Sequence, residues 1–120
     1  MEDFFKYVEC AVTVCDTECV IVYQNERSVA VNGDMRGKCM LGCHNDRSRG
    51  IIARILSEGV TNSYTISKKG QRKLIHQTPW YKETGDTARD AQDGPSGRTI
   101  AGIIELSIVI PEEMPHYDRG

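Results

Sequence analysis

Apolar and polar positions alternate most regularly toward the C-terminal end, where Ile100, Gly102, Ile104, Leu106, Ile108 and Ile110 recur at period two. That spacing predicts a long strand over Thr99 to Ile110 with one almost wholly apolar face, central to the core. A helical period governs Asp46 to Gly59: Ile51, Ile52, Ile55 and Leu56 form one stripe, with Asp46 placed to cap it and Gly59 to stop it. The runs Ser63 to Ser67 and Arg72 to Thr78 flank Lys68-Lys69-Gly70, a turn signal, and predict a hairpin. Two β-branched runs near the start, Ala11 to Val14 and Cys19 to Tyr23, are separated by Asp16-Thr17-Glu18 and predict another hairpin, one without glycine in its turn. Asn25 follows at once, and its side-chain oxygen can cap a short helix through Glu26-Arg27-Ser28. Phe4, Phe5 and Val8 stand at near-helical spacing and predict an amphipathic helix over Glu2 to Cys10. Gly33, Gly37 and Gly42 break the stretch from Gly33 to Asn45 into short turns, and the polar run Thr84 to Arg98 reads as a surface-loop insertion.

Composition narrows the function classes. A chain of 120 residues with 39% hydrophobic positions suits one domain, residues 1–120, able to bury roughly two-thirds of its unfolded surface. Fifteen basic against seventeen acidic residues give a formal charge of −2, and no Lys/Arg cluster supplies the electrostatic footprint of a nucleic-acid binder. No apolar run approaches the ~20 residues of a membrane-spanning helix. The N-terminal Met1-Glu2-Asp3 is acidic where a signal peptide is basic, so the expected location is the cytoplasm. Five cysteines without an export signal predict reduced thiols rather than a disulfide framework. Cys15/Cys19 and Cys39/Cys43 each have Cys-x3-Cys spacing but lack the four convergent ligands of a structural zinc site, so no metal site is expected. The chain shows no Ser-His-Asp order, P-loop, His-Glu-x-x-His or convincing carboxylate pair, and an enzyme is not expected.

Several segments together resemble the PAS domain. Val12 to Asn25 is similar to the opening PAS hairpin, where Asp begins the turn and Asn closes the second strand; Cys19 stands where that family commonly has glycine. Gly37-Lys38-Cys39-Met40-Leu41 looks like the family's Gly-Lys-x-Leu segment. Cys43-His44 with Ser48 resembles a bacterial sensory subgroup carrying a Cys-His-Pro step, with Asn45 in place of proline. Lys69-Gly70, Ile75-x-Gln77-x-Pro79-Trp80-Tyr81, Gly102 to Leu106 and Met114-Pro115 extend the likeness over nearly the whole chain. The resemblance implies an α+β fold: a five-stranded antiparallel sheet with short helices packed on one face. It also implies a signalling module that senses a small molecule, haem, flavin or redox state, or that dimerises. No effector segment follows Pro111, so the chain is expected to act on a partner protein in trans or to be the sensory part of a longer one.

The ligand itself is unknown from sequence. The expected cavity lies between the sheet and the Asp46 to Gly59 helix, with His44, Ile51, Ile55, Tyr64, His76, Gln77, Ile104 and Leu106 as its candidate residues. Cys43-His44 offers thiolate and imidazole to zinc or haem iron, with Cys39 nearby; the alternative is that Cys39 and Cys43 are small core residues and His44 caps the next helix. A haem would have to use His44 or His76, since Asp46 to Gly59 holds no histidine. Flavin photochemistry of the light-oxygen-voltage type is disfavoured, because Cys39 lacks the flanking Asn, Arg and Gln. A redox-active cysteine stays open. His76 and Gln77 are adjacent on a strand and point to opposite faces, so only one enters the cavity, with a partner from protein or ligand. Trp80 and Tyr81, after Pro79, suit a strand edge at a pocket mouth or dimer seam. Phe4, Phe5 and Val8 are the expected contacts of a homodimer.

Overall fold

The Asp16 carboxylate builds the first hairpin: its Oδ1 accepts from the backbone N–H of Glu18 at 2.9 Å and of Val20 at 3.0 Å. These bonds hold the turn without glycine, and Cys19 takes the left-handed conformation there with φ 65°. Asn25 organises the next step. Its Oδ1 accepts from Ser28 N and Val12 N, each at 3.0 Å, and its Nδ2 donates to the Phe5 and Cys10 carbonyls at 2.8 and 2.9 Å. One buried amide thus caps a helix and ties the N-terminal segment to it.

The computed structural model describes residues 2–40, 46–83 and 97–120. Its elements are β1 (Ala11–Asp16), β2 (Ile21–Gln24), α1 (Glu26–Asn32), α2 (Asp46–Glu58), β3 (Asn62–Lys68), β4 (Gln71–Glu83) and β5 (Arg98–Ile110). All pairings are antiparallel and the sheet order is β2-β1-β5-β4-β3. The expected α+β architecture, five antiparallel strands with helices on one face, is the one observed. Lys69 and Gly70 both have positive φ, 53° and 77°, as the tightest two-residue hairpin turns require. Residues 37–40 cover the free edge of β2 through Gly37 N to Ile21 O, Ile21 N to Lys38 O and Met40 N to Cys19 O.

The core lies between the sheet and α2, where Ile52 and Ile55 pack with Cys15, Cys19, Ile21, Met40 and Ile103. Ile103, not Ile104, faces α2. This corrects the expectation for β5: its inner face carries Ala101, Ile103, Glu105, Ser107 and Val109, while the regular apolar series Ile104, Leu106, Ile108 and Ile110 lies on the outer face. The cleaner apolar alternation therefore marks the sheet surface away from the helices.

Two further expectations are revised. Glu2 to Cys10 forms turns over residues 4–7 rather than a helix. Two carbonyls a helix would use are taken elsewhere: Phe5 O accepts from Asn25 Nδ2 and Lys6 O from Glu26 N at 3.1 Å. Strand β4 runs past its expected end at Thr78, to Glu83, and Trp80 and Tyr81 stand on the stretch of it that forms an edge. Beyond the Asn62–Gln77 pair β4 has, among the described residues, only β5 as a paired strand, and a proline there removes no bond from a second ladder. The Trp80 indole crosses Gly102 and donates to the Cys15 carbonyl at 3.0 Å; a Cβ on Gly102 would stand 1.8 Å from that oxygen. Of the expected loop, residues 84–96 lie outside the described residues, and Arg98 already belongs to β5.

Candidate functional site

The inner face of the sheet is not uniformly apolar. Next to the Cys15–Ile103–Pro79 rung, register pairs Gln24 with Thr13, Thr13 with Glu105, Glu105 with Gln77 and Gln77 with Asn62. One polar row thus crosses all five strands. Asn62 Nδ2 donates to Gln77 Oε1 at 3.0 Å, and Gln77 Nε2 donates to Glu105 Oε1 at 2.8 Å. Because Glu105 can only accept when ionised, the Gln77 amide is locked in one orientation, although the residue is only 3% exposed. At the other end Gln24 Nε2 donates to Ser28 Oγ (2.9 Å) and to the Gly33 carbonyl (3.0 Å), and Gln24 Oε1 accepts from Met35 N at 2.7 Å. Thr13 Oγ1 and Ser28 Oγ lie 2.6 Å apart, which joins the row to α1.

A cleft opens at each end of the row. One, of about 370 Å³, is walled by Ile51, Tyr64, Asn62 and Gln77. The other, of about 270 Å³, is walled by Thr13, Gln24, Glu105, Ile21, Met35 and Met40. Burial, and after it the charge of Glu105, push the Tyr64 phenol above its ordinary value, so it is a hydroxyl at neutral pH. The Glu105 carboxylate at the second cleft selects a small molecule carrying hydrogen-bond donors, whereas the first cleft, which Arg47 also lines, offers donors beside the Gln77 and Asn62 amides.

The structure sorts the candidate residues into three groups. Gln77, Tyr64 and Ile51 meet at the first cleft. Ile55 is on the inner side but fully buried in the core, so it supports the site without lining it. His76, Ile104 and Leu106 are corrections: all three lie on the outer face, by the strand alternation that puts Gln77, Ile103 and Glu105 inside. His76 Nδ1 pairs there with Ser63 Oγ at 2.6 Å. His44 and Cys43 lie outside the described residues, and Cys39 is exposed beside β2, bridging Val20. Among the described residues no three His, Cys, Asp or Glu side chains gather as metal ligands, and no histidine or cysteine lines either cleft. The described part of the site therefore does not fit an axial imidazole for haem. Thr13, Gln24, Asn62 and Glu105 are site residues that the sequence reading passed over. Counting back from the Lys69-Gly70 turn already places Asn62 opposite Gln77.

No protein-family profile matches the chain, and no curated protein matches it at sequence level. Solved structures do match in fold. The PAS domain of a Colwellia psychrerythraea protein is 18% identical with a TM-score of 0.57, over 91% of this chain and 92% of that one. A sensory box sensor histidine kinase from Vibrio cholerae is 15% identical with a TM-score of 0.60, over 88% and 85%. A structure of VqmA bound to DPO is 15% identical with a TM-score of 0.61; the match covers 88% of this chain but 55% of that one. The chain has the PAS fold.

Proposed function

We propose that this chain is a cytoplasmic sensory domain that binds a small, donor-rich molecule on the inner face of its sheet and passes occupancy to a partner protein in trans. The observation that carries this reading is the polar row: five side chains from five strands, aligned by register and bonded in two groups, Asn62–Gln77–Glu105 and Gln24–Ser28–Thr13. Buried polar groups of this kind cost stability unless satisfied; those of the row have partners within the protein, and a ligand donor competes for Glu105 or Thr13. PAS-fold neighbours support the sensory role, and one of them is a protein bound to DPO.

The relay starts at the Thr13 end of the row. A ligand that moves Thr13 alters the grip of Ser28 and Gln24 on α1 and on residues 33–35. Asn25 then links α1 to the N-terminal segment through Phe5 O and Cys10 O. Occupancy shifts the population of N-terminal arrangements by the ligand's differential affinity for them. Native mass spectrometry of protein purified from its own host tests this: a bound small molecule is expected in wild type and absent in Glu105→Leu, and equal apo spectra for both contradict it.

A second reading, a homodimerisation module, draws on a separate observation. Phe4, Phe5 and Tyr7 are exposed by 76%, 54% and 73%, with Val8 beside them, and the outer sheet face presents Ile108 among its exposed apolar residues. Light scattering separates the readings: a module of this kind loses its dimer when residues 1–7 are removed, whereas a ligand sensor keeps its small-molecule binding.

A further inference from the structure

At the far end of the inner face, two rungs beyond the polar row, Lys73 pairs in register with Val109 on β5 and Ile66 on β3. Lys73 is only 8% exposed, and among the described residues its side chain has no hydrogen-bond or ion-pair partner. No fully buried side-chain nitrogen among the described residues is left unpaired, so the Lys73 ammonium must reach solvent at its tip while its stem is enclosed. It does so in a groove of about 650 Å³ that the sheet forms with α1. Arg27 and Val31 stand on the helix side, Ser107 and Val109 on the sheet side, and Glu9 at the rim. Arg27 Nη2 holds Glu9 Oε2 at 2.6 Å, and that carboxylate is exposed, so one acid answers two cations and the groove keeps one positive charge.

An ammonium whose stem is enclosed is held in place at little further entropic cost, and with no ion-pair partner of its own it is available to an anion that enters the groove. One net charge matches a monoanion, and the walls of Val31 and Val109 match an apolar tail. We propose that this groove binds a small organic carboxylate with an apolar tail, the carboxylate on Lys73 and Ser107, the tail along Val31 and Val109. This site is distinct from the polar row, whose Glu105 carboxylate suits ligands with donors.

The probe is octanoate, titrated into the full chain and followed by amide chemical shifts, with octanamide as the neutral control. Saturable shifts at Lys73, Ser107 and Val109 with octanoate but not octanamide are expected. Lys73→Met should weaken octanoate binding about tenfold or more. Val31→Glu, which places a carboxylate inside the groove, should abolish it while leaving the fold's spectrum intact. The proposal is overturned if octanoate leaves these amides unmoved up to its solubility, if octanamide binds equally, or if Lys73→Met binds octanoate as wild type does.

Discussion

Gln77→Leu removes a side chain that both accepts from Asn62 and donates to Glu105. The bond to the carboxylate is worth about 2 kcal/mol and the neutral one about 1 kcal/mol, because an enclosed partner left unmatched loses its water as well. Gln77→Leu should therefore cost about 3 kcal/mol, and Glu105→Leu, which strands the Gln77 N–H, about 2 kcal/mol. The double variant no longer holds that pair and should cost about 3 kcal/mol rather than the sum, a coupling of about 2 kcal/mol. Urea unfolding followed by the fluorescence of Trp80, the chain's one tryptophan, reads all four proteins in one assay. Strictly additive losses, or single variants within about 0.5 kcal/mol of wild type, would refute the claim that the row is a coupled network.

Other expectations are direct. Gly102→Ala puts a Cβ 1.8 Å from Cys15 O and 2.6 Å from Trp80 Nε1, at φ 154°; it should cost more than about 3 kcal/mol and shift Trp80 emission, and a wild-type melting curve would contradict this. Burial pushes the Cys15 thiol up to about 12, so at pH 8 iodoacetamide should modify exposed Cys39 while Cys15 reacts only after unfolding; mass mapping of equal labelling at both sites would count against it. Partial desolvation, then the hydrogen bond to Asp3 and its charge, raise the Tyr23 phenol from 10.0 to about 12. Since the folded value is the higher one, this contribution is complete below pH 10 and disappears as pH rises through about 12. Ultraviolet titration should show that late tyrosinate step, and Tyr23→Phe should remove it.

Local chemistry was the part of this fold most readable from sequence. Asn25 caps α1, Asp16 shapes a glycine-free turn, Lys69-Gly70 closes β3 and β4, and Asp46 to Glu58 is helical, each because a few neighbouring residues determine the outcome. Failures came where distant partners decide. Asn25 and Glu26, far along the chain, take the carbonyls that an N-terminal helix would need. On β5 the better apolar alternation belongs to the outer face, because the inner face interrupts Ile103 and Val109 with Glu105 and Ser107. Periodicity finds a strand but does not say which side faces the helices. The site was half legible: Gln77, Tyr64 and Ile51 stood out by type, whereas Thr13, Gln24, Asn62 and Glu105 gain meaning only when register aligns them.

The most direct test of a ligand-binding polar row is a nuclear magnetic resonance screen of small amines, amides and polyols against the isotope-labelled chain, observing the side-chain amide signals of Gln77, Asn62 and Gln24. Compounds that bind should move these three signals together and lose affinity for Glu105→Leu. If every binder moves other signals and binds Glu105→Leu unchanged, the row is a structural network and the sensory site lies elsewhere.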